Sequence, residues 1–408
     1  MKYNKWTLCL AASGVVSLGS VIQAEEAQKQ MSQVMTAVAA TTLSGYVDTS
    51  AIWKFGTGNA SLPGRAFDGV GKLDGFNLNV VEIQLEKPLS EEQWAAGYKV
   101  QLLLGPDANN YNISPIGATG GGSSDFSLKD AYVALRVPLA NGIDLKVGSF
   151  TTVVGYESFE TPLDPNYSRS FGWQLEPTQH TGVLASYKAT DALSFSLGVA
   201  NTWNAGINAR PTRDAGTPGA GTAASESEKT YMASVSVTAP DSWGFLKGSA
   251  WYAGIINGLA SNSKDTTTGY VGGSLNTPVE GLSVGGAFDY RWDGPNTVTV
   301  GQNWAFAVAG YASFQANEKW KFNVRGDYTE GSDGTFYNRV GSNQNRLGAL
   351  TLTADYALWA NVISRAEMRW DHSMSGDKPY GGTPGTPASA LPNQRNAVTL
   401  ALNLIYKF

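Results

Sequence analysis

Apolar and polar residues alternate along most of the chain from residue 42 onward. The C-terminus shows this most clearly, since every second residue is large and apolar: Leu400, Leu402, Leu404, Tyr406 and Phe408. A period of two is typical of a β-strand with one apolar and one polar face. The alternation runs over about ten residues, the length of a tilted strand that crosses a membrane, whereas strands of soluble proteins more often have about five or six.

The alternation predicts sixteen strands, which begin near Thr42, Phe76, Ala96, Phe126, Ile143, His180, Leu193, Thr230, Leu246, Thr266, Leu282, Asn303, Trp320, Leu347, Asn361 and Asn396. In the second strand the apolar positions change phase between Val80 and Val81, which predicts either a β-bulge or a different strand start.

The connections between these strands alternate in length. Short turns such as 138–142, 189–192 and 315–319 separate long, Gly-, Pro-, Ser- and Asn-rich loops at 54–75, 105–125, 151–179, 204–229, 329–346 and 372–395. Short periplasmic turns and long extracellular loops are typical of transmembrane barrels. We therefore predict an all-β fold, a transmembrane antiparallel up-and-down β-barrel of about sixteen strands over residues 42–408, in preference to a soluble barrel or sandwich.

The first 41 residues are predicted to form two segments outside the barrel. Residues 1–24 have the features of a signal peptide: Lys2 and Lys5, then an uncharged apolar run, then a cleavage position after Ala24. Residues 25–41 have apolar residues at helical spacing, which predicts a short helical leader; a plug or an oligomerisation helix is the alternative.

Composition agrees with strands that are half apolar and half polar. Charged residues are 15% of the chain, against roughly 25% in typical soluble proteins. The net charge of −5 argues against a nucleic-acid partner, and two His and one Cys leave little material for a metal or cofactor site, so we expect neither. No stretch after the signal peptide approaches about 18 consecutive apolar residues, so no transmembrane helix is expected.

The polar faces of the predicted strands carry many charges that a barrel would direct inward. A packed interior holds such charges only if each is paired, and barrels of 16 to 18 strands leave an aqueous channel. The sequence therefore predicts a water-filled pore for small hydrophilic solutes or ions. The candidate lumen-lining residues are Glu82, Glu86, Lys99, Arg136, Lys146, Asp289, Arg291, Arg325, Asp327, Arg365, Glu367 and Arg369.

Two segments resemble known outer-membrane proteins. Tyr406 and the terminal Phe408 resemble the recognition signal for barrel assembly in the bacterial outer membrane. Residues 146–187, with Gly155-Tyr156-Glu157 and Asn166-Tyr167-Ser168-Arg169-Ser170, resemble the signature region of OmpL-like β-barrel porins. The resemblance implies a porin in the outer membrane that contacts lipid, the barrel assembly machinery and small hydrophilic solutes, and a homotrimer by analogy with sixteen-stranded porins.

The third long loop, 151–179, holds the candidate constriction residues Glu157, Glu160, Asp164 and Arg169. By analogy with general porins, this loop folds inward, and its acids face basic wall residues such as Arg136, Lys146 or Arg325. Opposed acidic and basic groups in a narrow pore would set ion selectivity. The alternative is a loop that only caps the mouth, with Arg169 paired locally.

Two other functions are weighed against a porin. An outer-membrane hydrolase needs a nucleophile, a base and an orienting group. The two histidines offer no such set, since Asp371, His372 and Ser373 are consecutive and alternate faces, and no G-x-S-x-G motif is present, so we expect no enzyme. A ligand-specific receptor or adhesin barrel with a blocked lumen is the remaining alternative.

Overall fold

The computed structural model describes residues 40–55, 72–110, 125–203, 206–214, 222–225, 227–260, 264–294, 303–332, 335–336, 344–382 and 392–408. The predicted signal peptide and nearly all of the predicted leader lie outside the described residues. The strands are β1 (Thr42–Phe55), β2 (Gly75–Lys87), β3 (Ala96–Leu104), β4 (Phe126–Val137), β5 (Ile143–Thr151), β6 (Gln179–Lys188), β7 (Leu193–Ala200), β8 (Thr212–Asp214), β9 (Thr222–Ala224), β10 (Thr230–Thr238), β11 (Ala250–Leu259), β12 (Asp265–Asn276), β13 (Leu282–Asp293), β14 (Asn303–Gln315), β15 (Trp320–Ser332), β16 (Gln344–Trp359), β17 (Val362–Ser373) and β18 (Asn396–Lys407).

Sixteen of these strands form one closed antiparallel barrel, which confirms the predicted fold. Each strand pairs with its neighbour in sequence, except that β8 and β9 form a separate hairpin between β7 and β10. The barrel closes where β1 pairs with β18. There the backbone N–H of Phe408 donates to the carbonyl of Gly45, and the N–H of Gly45 donates to the carbonyl of Phe408, both at 3.0 Å.

Short turns lie at one end of the barrel, called here the turn end, and long connections lie at the other, the loop end. Among the residues that the structure describes, helical structure is confined to short pieces: α1 (Pro106–Asn110) and 3-10 turns at Thr161–Leu163, Gly172–Gln174 and Asp241–Leu246. No helix in the described part of the chain is long and apolar enough to cross a membrane.

The strand starts agree with the sequence pattern to within one residue, apart from two shifts. Strand β16 begins at Gln344 rather than Leu347. Strand β11 begins at Ala250 rather than Leu246, because Asp241–Leu246 form a 3-10 turn. Leu246 is apolar and is the last residue of this turn, so it resembled the first apolar position of the strand. The predicted bulge in β2 is confirmed by a register shift opposite Asp48 and Thr49.

Burial along the strands is inverted relative to a soluble protein. In β15 the apolar Trp320, Phe322 and Val324 are exposed. The polar Arg325 and Asp327 on the other face are buried. A band of exposed apolar side chains around a polar interior is what lipid requires of a spanning barrel, whose backbone groups are satisfied between strands.

Candidate functional site

The long connection between β5 and β6 lies inside the barrel. We call residues 152–178 the inward loop. Its large side chains are buried against inward-facing wall residues: Phe159 and Trp173 belong to a cluster with Tyr46 and Ile405. Phe171 packs in another with Ala307. These contacts favour a loop folded against the inner wall over one that only caps the mouth.

Three wall arginines, Arg325, Arg365 and Arg369, hold this loop by its backbone; we call them the arginine clamp. Each is at most 2% exposed. Arg325 donates to the carbonyl of Ser168 at 2.7 Å and to that of Arg169 at 3.2 Å. The Arg169 carbonyl also accepts a 2.6 Å bond from Arg369.

Arg365 holds the preceding part of the loop. It donates to the carbonyls of Thr161 at 3.2 Å and Asp164 at 2.8 Å. Its Nε lies 2.6 Å from Asp355 on β16. The clamp therefore fixes the loop from residue 161 to residue 169 against β15, β16 and β17.

Acidic groups complete the charge balance of the clamp. Glu157 of the loop accepts a 2.8 Å bond from Arg325, which also lies 2.6 Å from Asp327. Glu367 accepts the backbone N–H groups of Tyr167 and Ser168 at 2.6 and 2.9 Å. A buried charge is tolerated only when it is paired and hydrogen-bonded, and these groups meet that condition.

The opposite side of the loop is attached to β3 and β4. Lys129 lies 2.7 Å from Glu160, and Gln101 donates to the same carboxylate at 2.7 Å. Burial alone would raise the pKa of Glu160, but Lys129 and Gln101 outweigh it and lower this pKa to about 2. Glu160 is therefore ionised at neutral pH and ties the loop to this wall.

The first residues of the inward loop pack on a third wall, formed by β11, β13 and β14. Tyr156 stacks on Tyr311 with ring centroids 4.1 Å apart. A Cβ at Gly285 would lie 2.2 Å from the Tyr156 hydroxyl, and one at Gly254 would lie 2.9 Å from Val154. The absence of side chains at these two glycines makes room for the loop.

Arg169 and Asp164 stabilise the loop internally. Arg169 is fully buried, lies 2.9 Å from Asp164, and donates to the carbonyls of Ser158, Phe159 and Tyr167 at 2.9 Å. Its local pairing agrees with one alternative from the sequence, although the loop itself lies inside the barrel.

The wall partners of the loop differ in part from those expected. Of the three basic residues named from the sequence, Arg325 contacts a loop acid. Arg136 lies 3.7 Å from Asp144 instead, and Lys146 lies 4.9 Å from the centre of the Tyr132 ring. Both sit nearer the turn end of the wall than the inward loop reaches, which explains the difference.

The expected lumen-lining residues lie on inward positions, but the loop covers most of them. The buried ones are Glu82, Asp289, Arg325, Asp327, Arg365, Glu367 and Arg369. The partly exposed ones are Glu86, Lys99, Arg136, Lys146 and Arg291. The second set therefore keeps part of its side-chain surface accessible. The assembly residues Tyr406 and Phe408 are both about half exposed on the outer face.

Sequence reasoning missed Lys129 and Asp130, two neighbouring residues that both point inward. A register shift between Val100 and Leu102 places both opposite Gln101. Lys99 lies 3.2 Å from Asp130. Strict alternation would put these two neighbours on opposite faces, so only a bulge signal could have found both.

The histidines lie apart from any reactive cluster in the described residues. His180 is buried 3.1 Å from Thr152, and His372 contacts Asn396 at 2.8 Å. No group of three or more potential metal ligands occurs in the part of the chain that the structure describes.

Comparison with known proteins agrees with this architecture. A family described as beta-barrel porin-2, OmpL-like, matches residues 40–408. No curated protein matches the chain.

Solved outer-membrane proteins share the fold at low sequence identity. The outer membrane channel DcaP of Acinetobacter baumannii is 13% identical, covers 90% of this chain and 97% of its own, and has a TM-score of 0.56. The anion-selective porin from Comamonas acidovorans is 11% identical over 90% of this chain and 99% of its own, with a TM-score of 0.57. OmpT of Vibrio cholerae in its trimer form is 12% identical, covers 90% of this chain and 99% of its own, and has a TM-score of 0.54.

Proposed function

Since the chain belongs to the OmpL-like beta-barrel porin-2 family and lies in the bacterial outer membrane, we propose that it forms a water-filled channel for passive diffusion of small hydrophilic solutes or ions. The inward loop is the constriction of this channel. The observation that carries the proposal is the clamping of a 27-residue loop across the lumen of a sixteen-stranded barrel, while the turn half of the inner wall stays polar and partly exposed.

Partly exposed polar side chains on the turn half come from walls on both sides of the lumen. They include Ser44, Glu86, Lys99, Lys146, Ser186, Ser234 and Ser274. Such groups favour water over lipid or protein packing. The turn end faces the periplasm in barrels of this kind, so this half forms a wide periplasmic vestibule below the narrow part.

Planar-bilayer recording of purified protein tests the channel. We expect discrete, repeated conductance steps in potassium chloride. A folded barrel that inserts without any conductance step would refute the channel.

A receptor or adhesin barrel with a blocked lumen is the second candidate. It is favoured by one observation: in the loop half, many inward side chains are buried, among them Asp48, Gln101, Met232, Thr268 and Asn345. The same recording separates the two, because a blocked barrel carries no current until the loop is released.

The remaining assignments are part of the proposal. The chain is not an enzyme, it is exported by residues 1–24, and Tyr406 and Phe408 are read by the assembly machinery. It forms a homotrimer, as the Vibrio cholerae neighbour does in its trimer form. Light scattering of the detergent complex tests the trimer, and a monomer mass would contradict it.

A further inference from the structure

One side of the lumen carries almost no charge. The consecutive wall strands β7, β10, β11 and β12 contain a single charged residue, Asp265, which is exposed at the loop end. In the turn half, the inward positions of β6, β7, β10 and β11 bear hydroxyl groups instead. We call this set the hydroxyl wall: Ser186, Ser194, Ser196, Ser234, Ser236 and Tyr252.

The hydroxyls of the first row are neighbours across strands. Ser186 pairs with Ser196, and Ser196 pairs with Ser234. The hydroxyls of Ser186 and Ser196 lie 2.9 Å apart. Since neighbouring strands are about 4.8 Å apart, hydroxyl groups recur at roughly this spacing around the wall.

A second row nearer the turn end continues the surface. Ser194 pairs with Ser236, and Ser236 pairs with Tyr252. Tyr252 is 46% exposed although it faces the lumen. Its aromatic ring therefore offers an apolar face with a polar hydroxyl at the edge.

Several charges on the other walls are neutralised by close ion pairs. Lys99 lies 3.2 Å from Asp130, and Lys129 lies 2.7 Å from Glu160. The clamp arginines are similarly paired. Close ion pairs leave only a weak field at the centre of a water-filled lumen, and the partly exposed Glu86 and Lys146 are of opposite sign. These walls therefore supply little net attraction to an ion passing along the hydroxyl wall.

We infer that the channel favours uncharged, polyhydroxylated solutes, such as sugars and polyols, over ions of similar size. This inference rests on the proposed channel function. A wall hydroxyl both donates and accepts hydrogen bonds, so it replaces the water that a sugar hydroxyl loses on entry. An ion loses hydration beside the same wall and gains no counter-charge. Tyr252 supplies the surface on which the apolar face of a sugar ring packs.

Osmotic swelling of liposomes that contain the purified protein tests this inference. Glucose, gluconate and glucosamine are matched in size and differ in charge. We expect glucose to enter faster than either ion, because each ion lacks the counter-charge that would be worth about fivefold at about 4 Å in water.

Placing a charge on the wall gives a second measurement. Ser234→Asp should raise glucosamine entry and lower gluconate entry, each by about fivefold. Ser242→Asp is the matched control, because Ser242 is exposed in the turn between β10 and β11. Liposomes that contain this control variant should take up all three solutes at the same rates as liposomes with the unsubstituted protein.

The outcomes separate the two levels of the proposal. Entry of gluconate or glucosamine at the rate of glucose overturns the neutral preference while the channel stands. Unchanged ratios in Ser234→Asp overturn the role of the hydroxyl wall. Absence of both swelling and potassium chloride conductance overturns the channel function and the inference with it.

Discussion

Removing the Arg325 side-chain charge should release the inward loop. All donor groups of this arginine are used: Nε bonds Asp327, and the two terminal nitrogens bond Glu157, Ser168, the carbonyl of Arg169 and Thr351. Four of these bonds join the wall to the loop. The substitution Arg325→Met keeps much of the apolar stem and removes them together.

The magnitude follows from the burial of the partners. Arg325 and Glu157 have side chains 0% and 2% exposed. Removing one partner of a buried pair costs about 3–5 kcal/mol, because the other charge stays buried and unpaired. Since 1.4 kcal/mol is a factor of ten, the ratio of released to clamped loops should rise on the order of 10²–10⁴.

Single-channel recording measures this change. We expect larger and noisier conductance steps for Arg325→Met than for the unsubstituted protein. Adding Glu157→Gln should recover part of the stability, since it removes one of the two buried carboxylates, Glu157 and Asp327, that the arginine had paired. Arg346→Met is the control: its pair with Glu330 at 3.0 Å is 42% exposed on the arginine side, so it contributes at most about 1 kcal/mol. A folded Arg325→Met barrel with unchanged conductance and noise would refute the clamp.

Three further predictions concern other contacts of the barrel and the loop. Gly285→Ala should displace the ring of Tyr156 and alter conductance, whereas Gly286→Ala, whose added Cβ would have 3.7 Å of clearance on the outer face, should not; equal effects in the two variants would contradict the packing. The ion pair of Glu160 contributes its full stabilisation of the loop at pH values above the ordinary pKa of 4.5. This stabilisation is lost as the pH falls toward the lowered pKa of about 2. Conductance should therefore increase on acidification below about 4.5 and lose this dependence in Glu160→Gln, and a variant that keeps it would disprove the assignment. Deleting Phe408 should lower the amount of protein in purified outer membranes, and normal amounts would exclude its role in assembly.

The barrel could be predicted because each strand repeats one local rule. A strand between lipid and lumen must alternate, and in β17 the outward Met368 and Trp370 alternate with the inward Glu367 and Arg369. The rule fails where an extra residue enters, as at Asn79 and Val80, which both face inward after the bulge in β2. Such irregularities depend on the paired strand, which lies far away in sequence.

The site was harder to predict, because alternation identifies a face but not what covers that face. Arg325 was assigned to the inner wall, and it lies there. Its partners Glu157, Ser168 and Arg169 are more than 150 residues away in sequence. The sequence of a charged inner wall therefore shows the same alternation of apolar and polar residues whether the wall contacts water or a folded loop.

Different groups of the inward loop determine its position and its chemistry. The arginine clamp binds carbonyl groups, and Glu367 binds the backbone N–H groups of Tyr167 and Ser168. Backbone groups are the same for almost every residue, so these contacts set the path of the loop without specifying most of its side chains. Loop side chains that stay exposed, such as Leu163 and Gln174, are then free to set what passes. Substitutions at these two positions should therefore change selectivity at constant loop position, whereas substitutions in the clamp should change both.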